Sequence, residues 1–518
     1  MRVCFHLDPS RLFRWHLWLA ESLAAVPGCE VSCTFASERH PLPRACRLVF
    51  ELERLIYRFC DGGAVDVASA AALPAEAGWH EPFDVLIDFA TQETIPPSRR
   101  VLRPLFNGVP GEIGIVAALL DSQSFRLDVY DTDRPQRPWT AHPAVRDRRI
   151  LAAGLDAVLS CAVELLTKVV REPPGASAGM APGRAPTTVP VRAISVLTHA
   201  MGTVATKTVR LLGLLASGGE TWTVGWRFDC GSSLLDQGQA EFRVLPGDAR
   251  RYFADPFPFE HGGEHYLFME EYPYRSGRGC IAVAKVDRTG IISPPRTVLE
   301  EPYHLSYPFV FEHDGQIWMI PESGAAKTVT LYRADPFPDR WTREATLLEG
   351  IEGYDATLLP ERDQFWLFVN PKLWRSTSWD LLALFHADRL TGPWIAHRNN
   401  PVLLNACYGR SAGAIFERDG YRYRPVQDCS RGYGGAVMFC RIHALTDIEF
   451  TQTPIGRMEC GSFGCHTYNR RSGLEVIDLF RSVRSNGEVT ASYRPLTADG
   501  SSSPDQHGTH LGVPLLGT

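Results

Sequence analysis

The chain has 518 residues, 22% of them charged, with a net charge of −6 and an isoelectric point near 6.3. That length suits two or three domains rather than one core, and the acidic balance excludes a dominant nucleic-acid role, which needs a basic face. No apolar run reaches the ~20 residues that span a bilayer. The thirteen cysteines include no CxxC pair, so neither a disulfide framework nor a metal or other cofactor is expected, and a reducing, cytoplasmic setting is.

In chain order, Met1-Arg-Val-Cys-Phe-His-Leu-Asp8 reads as a strand rather than a signal peptide, because Asp8 interrupts a short apolar run. Leu12 to Ala25 carries Leu12, Trp15, Leu19 and Leu23 at helical spacing. Glu30 to Phe35 is a second strand. Leu48 to Cys60 reads as a helix with Leu48, Leu52, Leu55 and Ile56 on one face. Phe83 to Phe89 is a third strand, and Leu151 to Arg171 a long helix. This alternation predicts a Rossmann-like α/β domain over residues 1–171 with a mostly parallel open sheet. Ligands on such sheets bind beyond the carboxyl ends of the strands. No GxGxxG follows the first strand, so no dinucleotide cradle is expected.

Residues 172–192, rich in Pro, Gly and Ala, predict a flexible linker. Thr206 to Leu215 reads as a short helix. Thr221 to Arg227 alternates as a strand and is expected to close a ring of sheets from outside.

From Arg251 the chain repeats itself. Phe253-Ala-Asp-Pro-Phe-Pro-Phe-Glu-His-Gly-Gly-Glu-His-Tyr-Leu-Phe-Met-Glu-Glu271 is a hairpin sentence: an aspartate, a strand, a glycine turn, and a second strand ending in carboxylates. It recurs from Ser306, Gly353 and Arg410, and more loosely from Gly464. A third strand-like run follows in most copies: Cys280–Val286, Thr328–Arg333, Leu381–His386 and Ala436–Arg441. The spacing of roughly fifty residues is that of propeller blades. Residues 193–498 are therefore expected to form an all-β five-bladed propeller, followed by a disordered tail over 499–518.

Equivalent ends of propeller repeats converge on one channel mouth. That principle nominates Asp255, Tyr307, Asp355, Arg410 and His466 at the starts of the copies. The second-strand ends add Glu270, Glu271, Glu322, Asn370, Arg424, Gln427, Asp428 and Asp478, with Arg481 beyond. Glu270 and Glu271 are adjacent on a strand, so only one of them can face inward. Asp314 and Asp419, each before a glycine, read as turn formers. Carboxylates, Arg, Gln, His and Tyr around one mouth suit a polyhydroxylated ligand. Paired carboxyls also suit glycoside chemistry.

Phe253-Ala-Asp-Pro-Phe257, Ile320-Pro-Glu-Ser323, Tyr423-Arg-Pro-Val-Gln-Asp-Cys-Ser-Arg-Gly-Tyr-Gly434 and His466-Thr-Tyr-Asn469 resemble the propeller region at the N-terminal side of glucosamine inositolphosphorylceramide transferases. The resemblance covers roughly Thr206 to Ser485. The propeller also resembles five-bladed glycoside hydrolases acting on arabinans and xylans. By that resemblance Asp255 is the general base, Asp355 the residue that tunes pKa, and Glu322, in the second copy, stands in for the acid. The fourth copy offers Arg424, Gln427 and Asp428 and no glutamate. The N-terminal domain is similar in layout to formyltransferase-like domains. Asn107, in Phe106-Asn-Gly-Val-Pro-Gly-Glu-Ile-Gly114, matches their asparagine, while their histidine and SLLP run are missing.

Three readings follow. In the first, the propeller mouth binds and processes a glycan or sugar conjugate by glycosyl hydrolysis or transfer. The catalytic residues are then Asp255, Asp355 and Glu322. The binding residues are Tyr307, Glu271, Arg410, Arg424, Gln427, Asp428, His466 and Asp478. Partner enzymes of a surface-polysaccharide or glycolipid pathway are expected around it. In the second, the propeller is a non-catalytic sugar-binding or scaffold module. In the third, the N-terminal domain is a formyl or acyl transferase acting on an amino sugar.

Overall fold

The computed structural model describes residues 1–57, 62–79, 82–90, 94–121, 123–132, 137–172, 195–196, 198–199, 201–202, 220–461, 464–482 and 487–496. The expected linker, the helix over Thr206–Leu215 and the tail lie almost wholly outside these residues. The chain divides into two compact units, Met1–Val209 with Leu373–Thr377, and Arg210–Lys372 with Ser378–Thr518.

The first unit alternates strands and helices. Its elements are β1 (Arg2–Leu7), α1 (Arg14–Ala24), β2 (Glu30–Phe35), α2 (Arg44–Tyr57), β3 (Val85–Asp88), β4 (Val101–Phe106) and β5 (Val109–Pro110), then α3 (Ile113–Leu120), β6 (Leu127–Asp131), β7 (Trp139–Ala141) and α4 (Leu151–Arg171). The sheet order is β2-β1-β3-β4-β6-β7, with β5 on β4. β1 pairs in parallel with β2 and β3, and β3 with β4, whereas β4, β5, β6 and β7 pair antiparallel. The sheet is thus mixed rather than mostly parallel. The reason is local: Asn107-Gly108, at φ +51° and +78°, makes a tight hairpin turn that reverses the chain after β4. Helix α4 is apolar on most sides and is buried along most of its length against α1, α2 and α3.

Helix α2 turns a different face inward from the one its leucines suggested. Ala45, Cys46, Val49, Phe50 and Glu53 are buried, while Leu48, Leu52, Leu55 and Ile56 are exposed. Glu53 explains this orientation. Its carboxylate accepts from the backbone N–H groups of Leu151 and Ala152 at 2.9 and 2.8 Å, capping the start of α4.

The second unit is all β apart from short helical turns and is propeller-like. It opens with β8 (Glu220–Phe228) and β9 (Gln239–Val244). A four-stranded antiparallel sheet follows: β10 (Arg251–His261), β11 (Glu264–Pro273), β12 (Cys280–Val286) and β13 (Arg296–Leu299). The next is β14 (Ser306–His313), β15 (Gln316–Glu322), β16 (Thr328–Ala334) and β17 (Trp341–Glu349). The third is β18 (Gly353–Pro360), β19 (Phe365–Pro371), β20 (Leu381–Ala387), β21 (Ile395–Ala396) and β22 (Leu403–Leu404). Then come β23 (Phe416–Arg418), β24 (Tyr421–Gln427), β25 (Val437–Leu445), β26 (Phe450–Glu459), β27 (Tyr468–Arg471), β28 (Leu474–Ser482) and β29 (Val489–Pro495). These join β8 and β9 in one nine-stranded sheet, in the order β23-β24-β25-β26-β29-β9-β8-β28-β27.

The repeated hairpins are therefore strands, and each third run is the next strand outward. The first strands pack on one another: β10 on β14, β14 on β18, and β10 on β27 and β28. Phe257, Phe268, Tyr307, Phe309, Met319 and Leu331 fill the space between neighbouring sheets. β8 pairs with β28 from Phe228↔Leu474 to Glu220↔Ser482, so the start of the unit is stitched to its end. It is not the outermost strand, because β9 lies beyond it and pairs with β29. Asp314 and Asp419 sit at hairpin tips with φ near +50° and the following glycine also positive.

Candidate functional site

Three first strands share one irregularity. Pairing register breaks between Ala254 and Phe257, between Ser306 and Phe309, and between Tyr354 and Thr357. At each break one non-glycine residue is left-handed: Asp255 (φ +48°), Tyr307 (φ +44°) and Asp355 (φ +47°). A bulge re-aims a side chain, and a strained backbone of this kind costs about 1–3 kcal/mol that the surrounding structure must hold. The residues nominated by repeat position are thus the ones the backbone distorts to deliver.

Asp255 is buried and fully engaged. Its Oδ2 accepts from the Tyr307 N–H at 3.2 Å, and its Oδ1 from the Thr467 hydroxyl at 2.8 Å. His466 Nε2 lies 3.0 Å from the same Oδ1, and His466 Nδ1 lies 3.0 Å from Asp478 Oδ2. Asp478 Oδ1 accepts from the backbone N–H groups of His466 and Thr467 at 2.8 and 3.0 Å, which fixes the imidazole between two carboxylates. Burial disfavours charge on all three. For Asp255 burial is the largest single influence, but His466, the Thr467 hydroxyl and Arg410 together outweigh it and hold its carboxyl below the usual range. For His466 the two carboxylates outweigh burial and raise its pKa. Asp478 is pushed up by burial, against the pull of His466.

A second group adjoins the first. Arg410 Nε donates to Asp355 Oδ2 at 2.5 Å and Nη1 to Ser378 Oγ at 2.8 Å, while Nη2 lies 3.8 Å from Glu322 Oε2. Gln427 Nε2 also donates to Asp355 Oδ2, at 3.0 Å. Tyr307 links the two groups. Its hydroxyl meets Thr357 Oγ1 at 2.8 Å, and the Thr357 hydroxyl donates to the Asp355 carbonyl at 3.1 Å. Burial and the neighbouring Asp355 carboxylate hold Glu322 well above the usual carboxylate range. Glu270 is raised likewise, by burial and by Asp255; its side-chain neighbours are the Tyr252 hydroxyl at 3.5 Å and His304 Nε2 at 3.4 Å.

Asp255, Glu270, Tyr307, Glu322, Asp355, Arg410, Gln427, His466 and Asp478 are brought together. Glu271, Arg424 and Asp428 are not. Glu271 faces away from Glu270 and accepts from Arg251 at 2.6 Å and Thr297 at 2.8 Å. Arg424 points to the opposite side of β24 from Gln427, donating to the Gly409 carbonyl at 2.6 Å and the Tyr408 carbonyl at 3.2 Å; burial lowers it to about 10. Asp428 pairs with Arg457. For Glu271 and Arg424 strand alternation is the cause: odd-numbered offsets on one strand cannot share a face, while Asp428 lies just past the end of β24. Asn370 anchors backbone, donating to the Leu381 carbonyl at 2.6 Å and accepting from the Ser411 N–H at 3.0 Å.

Sequence reading missed Thr467, Ser378 and an aromatic rim. Half-buried Tyr433 lies 4.9 Å from the His466 ring, 5.5 Å from Trp379 and 6.1 Å from Trp222, and its ring centroid is 5.1 Å from the Arg410 guanidinium. Its place in the Gly432-Tyr433-Gly434-Gly435 loop was the available signal. Gly434 has φ +64°, and a Cβ there would meet Trp222 at 2.8 Å. Among the described residues, Asp255, His466 and Asp478 offer three metal-ligand atoms within 4.8 Å of one another. His466 Nε2 faces Asp255 Oδ1, whereas His466 Nδ1 and Asp478 Oδ2, though 3.0 Å apart, are buried without a well-aligned hydrogen-bond partner, so that contact is one of charge.

Residues 244–470 match the family described as glucosamine inositolphosphorylceramide transferase 1, N-terminal. The protein of that name from Oryza sativa subsp. japonica is 33% identical over 213 residues, 40% of this chain and 28% of the relative. The one from Arabidopsis thaliana is 30% identical over 223 residues, 42% of this chain and 29% of the relative. The matched stretch thus spans under a third of these relatives' length. Among solved structures, an exo-1,5-alpha-L-arabinanase from a bovine ruminal metagenomic library has a TM-score of 0.34 at 14% identity, covering 51% of this chain and 99% of that one. A family 117 glycoside hydrolase of Zobellia galactanivorans has a TM-score of 0.34 at 13% identity, covering 48% and 92%. Residues 244–470, which carry all but one of the clustered side chains, match the N-terminal region of the glucosamine inositolphosphorylceramide transferases, as the motifs in the sequence implied.

Proposed function

We propose that the second unit is a carbohydrate-active propeller that binds a glycan or sugar conjugate at this cluster and processes it by glycosyl hydrolysis or transfer. The observation that carries this reading is the divergence of two carboxyls in one site. Asp255 is drawn below the ordinary carboxylate range by His466, Thr467 and Arg410 against its burial, while Glu322 is pushed well above that range by burial and Asp355. Carboxyls pushed apart in this way divide the roles of base and acid. Asp255 takes the base role, Glu322 donates a proton to the leaving oxygen, and Asp355, clamped by Arg410 and Gln427, sets the field around Glu322. The match of residues 244–470 to proteins whose name contains a sugar supports the ligand class. The test is a glycan-array and nucleotide-sugar screen on the full chain, followed by turnover with Asp255→Asn and Glu322→Gln.

A second reading, a non-catalytic sugar-binding or scaffold module, draws on the saturation of Asp255 by Tyr307, Thr467 and His466. Ligand binding without turnover in the same screen would favour it. We read the nine-stranded sheet as two blades, giving five in all, and the first unit as formyltransferase-like without that catalysis. Asn107 supports the latter: its side chain donates to the Ser124 carbonyl at 2.8 Å and accepts from the Arg126 N–H at 3.2 Å, which ties it to a turn. A reducing, cytoplasmic setting with partner enzymes of a glycan pathway completes the proposal.

A further inference from the structure

Helix α2 presents an apolar face that is exposed among the described residues. Leu48 is 68% exposed, Leu52 45%, Leu55 78% and Ile56 49%. Their spacing of four, three and one puts them on a single stripe along one side of a 14-residue helix. The other side is fastened, through Val49, Phe50 and the Glu53 cap of α4, so the helix cannot roll to hide the stripe without uncapping α4.

We propose that this face is a docking element for an anionic lipid surface, with α2 lying in the plane of the headgroups. Charge is the first argument. Arg44 and Arg47 stand exposed at the start of the helix, against one exposed glutamate: Glu53 is buried as a cap, and Glu51, 70% exposed, lies 3.5 Å from Arg54. Arginines beside a leucine stripe are the pattern of interfacial helices, their long stems letting the charge reach phosphate while the stripe sinks among acyl chains. Area is the second argument. The four side chains expose about 400 Å², within the range of a functional patch but about half of the ~800 Å² per partner that a stable dimer buries. A lipid surface needs no matching protein face. No helix among the described residues is long and apolar enough to cross a membrane, so the contact is peripheral.

The test is flotation of the full-length protein with phosphatidylcholine vesicles, with and without phosphatidylserine. Binding is expected on vesicles that contain phosphatidylserine, and it should weaken as salt rises. Leu48→Glu with Leu55→Glu should reduce it at least ~10-fold. Leu48→Gln with Leu55→Gln should reduce it comparably, separating lost apolar contact from added repulsion. Arg44→Gln with Arg47→Gln should remove the preference for phosphatidylserine. All these positions are exposed, so melting temperatures should stay near that of the parent, and this is checked for each variant. Absence of binding, or leucine variants that float like the parent, would overturn the proposal. So would a concentration-dependent dimer that the same leucine substitutions abolish, which would assign the stripe to a second copy.

Discussion

His466 carries the sharpest consequences at the scale of single residues, because it holds two buried carboxylates apart. A histidine whose folded pKa is raised adds stability that is complete below the ordinary value of 6.5 and is lost as pH climbs through the folded value. We expect the difference in unfolding free energy between parent and His466→Gln to be largest in mild acid. There it should reach about 3–5 kcal/mol, the cost of breaking a buried ion pair, and it should shrink as pH rises. Denaturant melts across the pH range measure it. Glu270 titrates in the same sense, but as a liability when charged rather than an asset. Its folded pKa is raised, so the folded chain binds the extra proton, and stability falls as pH rises above the ordinary carboxylate range. Glu270→Gln should therefore raise the melting temperature more at pH 8 than at pH 5; an equal gain at both would contradict the assignment. The repeat positions led to Asp255, Tyr307 and Asp355 from sequence. Strand alternation, applied to Arg424 and Gln427 as it was to Glu270 and Glu271, would also have kept Arg424 out of the mouth.

Among the elements, hairpins were legible because period-two alternation and glycine turns are local signals. The bulges that aim Asp255, Tyr307 and Asp355 were not, since no residue type there announces a left-handed backbone. The inward face of α2 was not legible either. Its orientation is set by Glu53 reaching the start of α4, about a hundred positions later in the chain. One glycine tests how tightly the elements hold the site. Gly413 has φ +143°, its N–H donates to the Tyr307 hydroxyl at 2.8 Å, and a Cβ there would lie 2.1 Å from the Tyr468 carbonyl oxygen. Because that oxygen is backbone, a methyl group must shift β27. Gly413→Ala should cost at least ~2 kcal/mol in a chemical melt, beyond an ordinary surface change. A shift within ~0.5 kcal/mol would mean that the strand gives way easily.

At the scale of the whole molecule, closure is what brings the early and late repeats to one place. β8 pairs with β28 over their full lengths, and Asp255 of β10 meets His466 and Thr467 just before β27. Deleting residues 1–229 removes β8 and leaves β28 with an open edge. That fragment should melt far below one beginning at residue 203, or aggregate, while equal melting would deny β8 its closing role. A closing strand over Thr221–Arg227 was expected from sequence, but as the outermost one; its partner β28 and the outer place of β9 were not read, because short polar strands carry little signal. The central claim is that one closed cluster holds an ionised Asp255 and a protonated Glu322 for glycosyl chemistry. The measurement that bears on it most directly is the pH–rate profile of the parent, Asp255→Asn and Glu322→Gln on the first glycan or nucleotide sugar found to turn over. We expect each substitution to cut turnover at least ~100-fold with the fold intact, the scale of losing a general acid or base. We also expect loss of Glu322 to abolish the fall in rate at high pH. Turnover within twofold of the parent in both variants would contradict the claim.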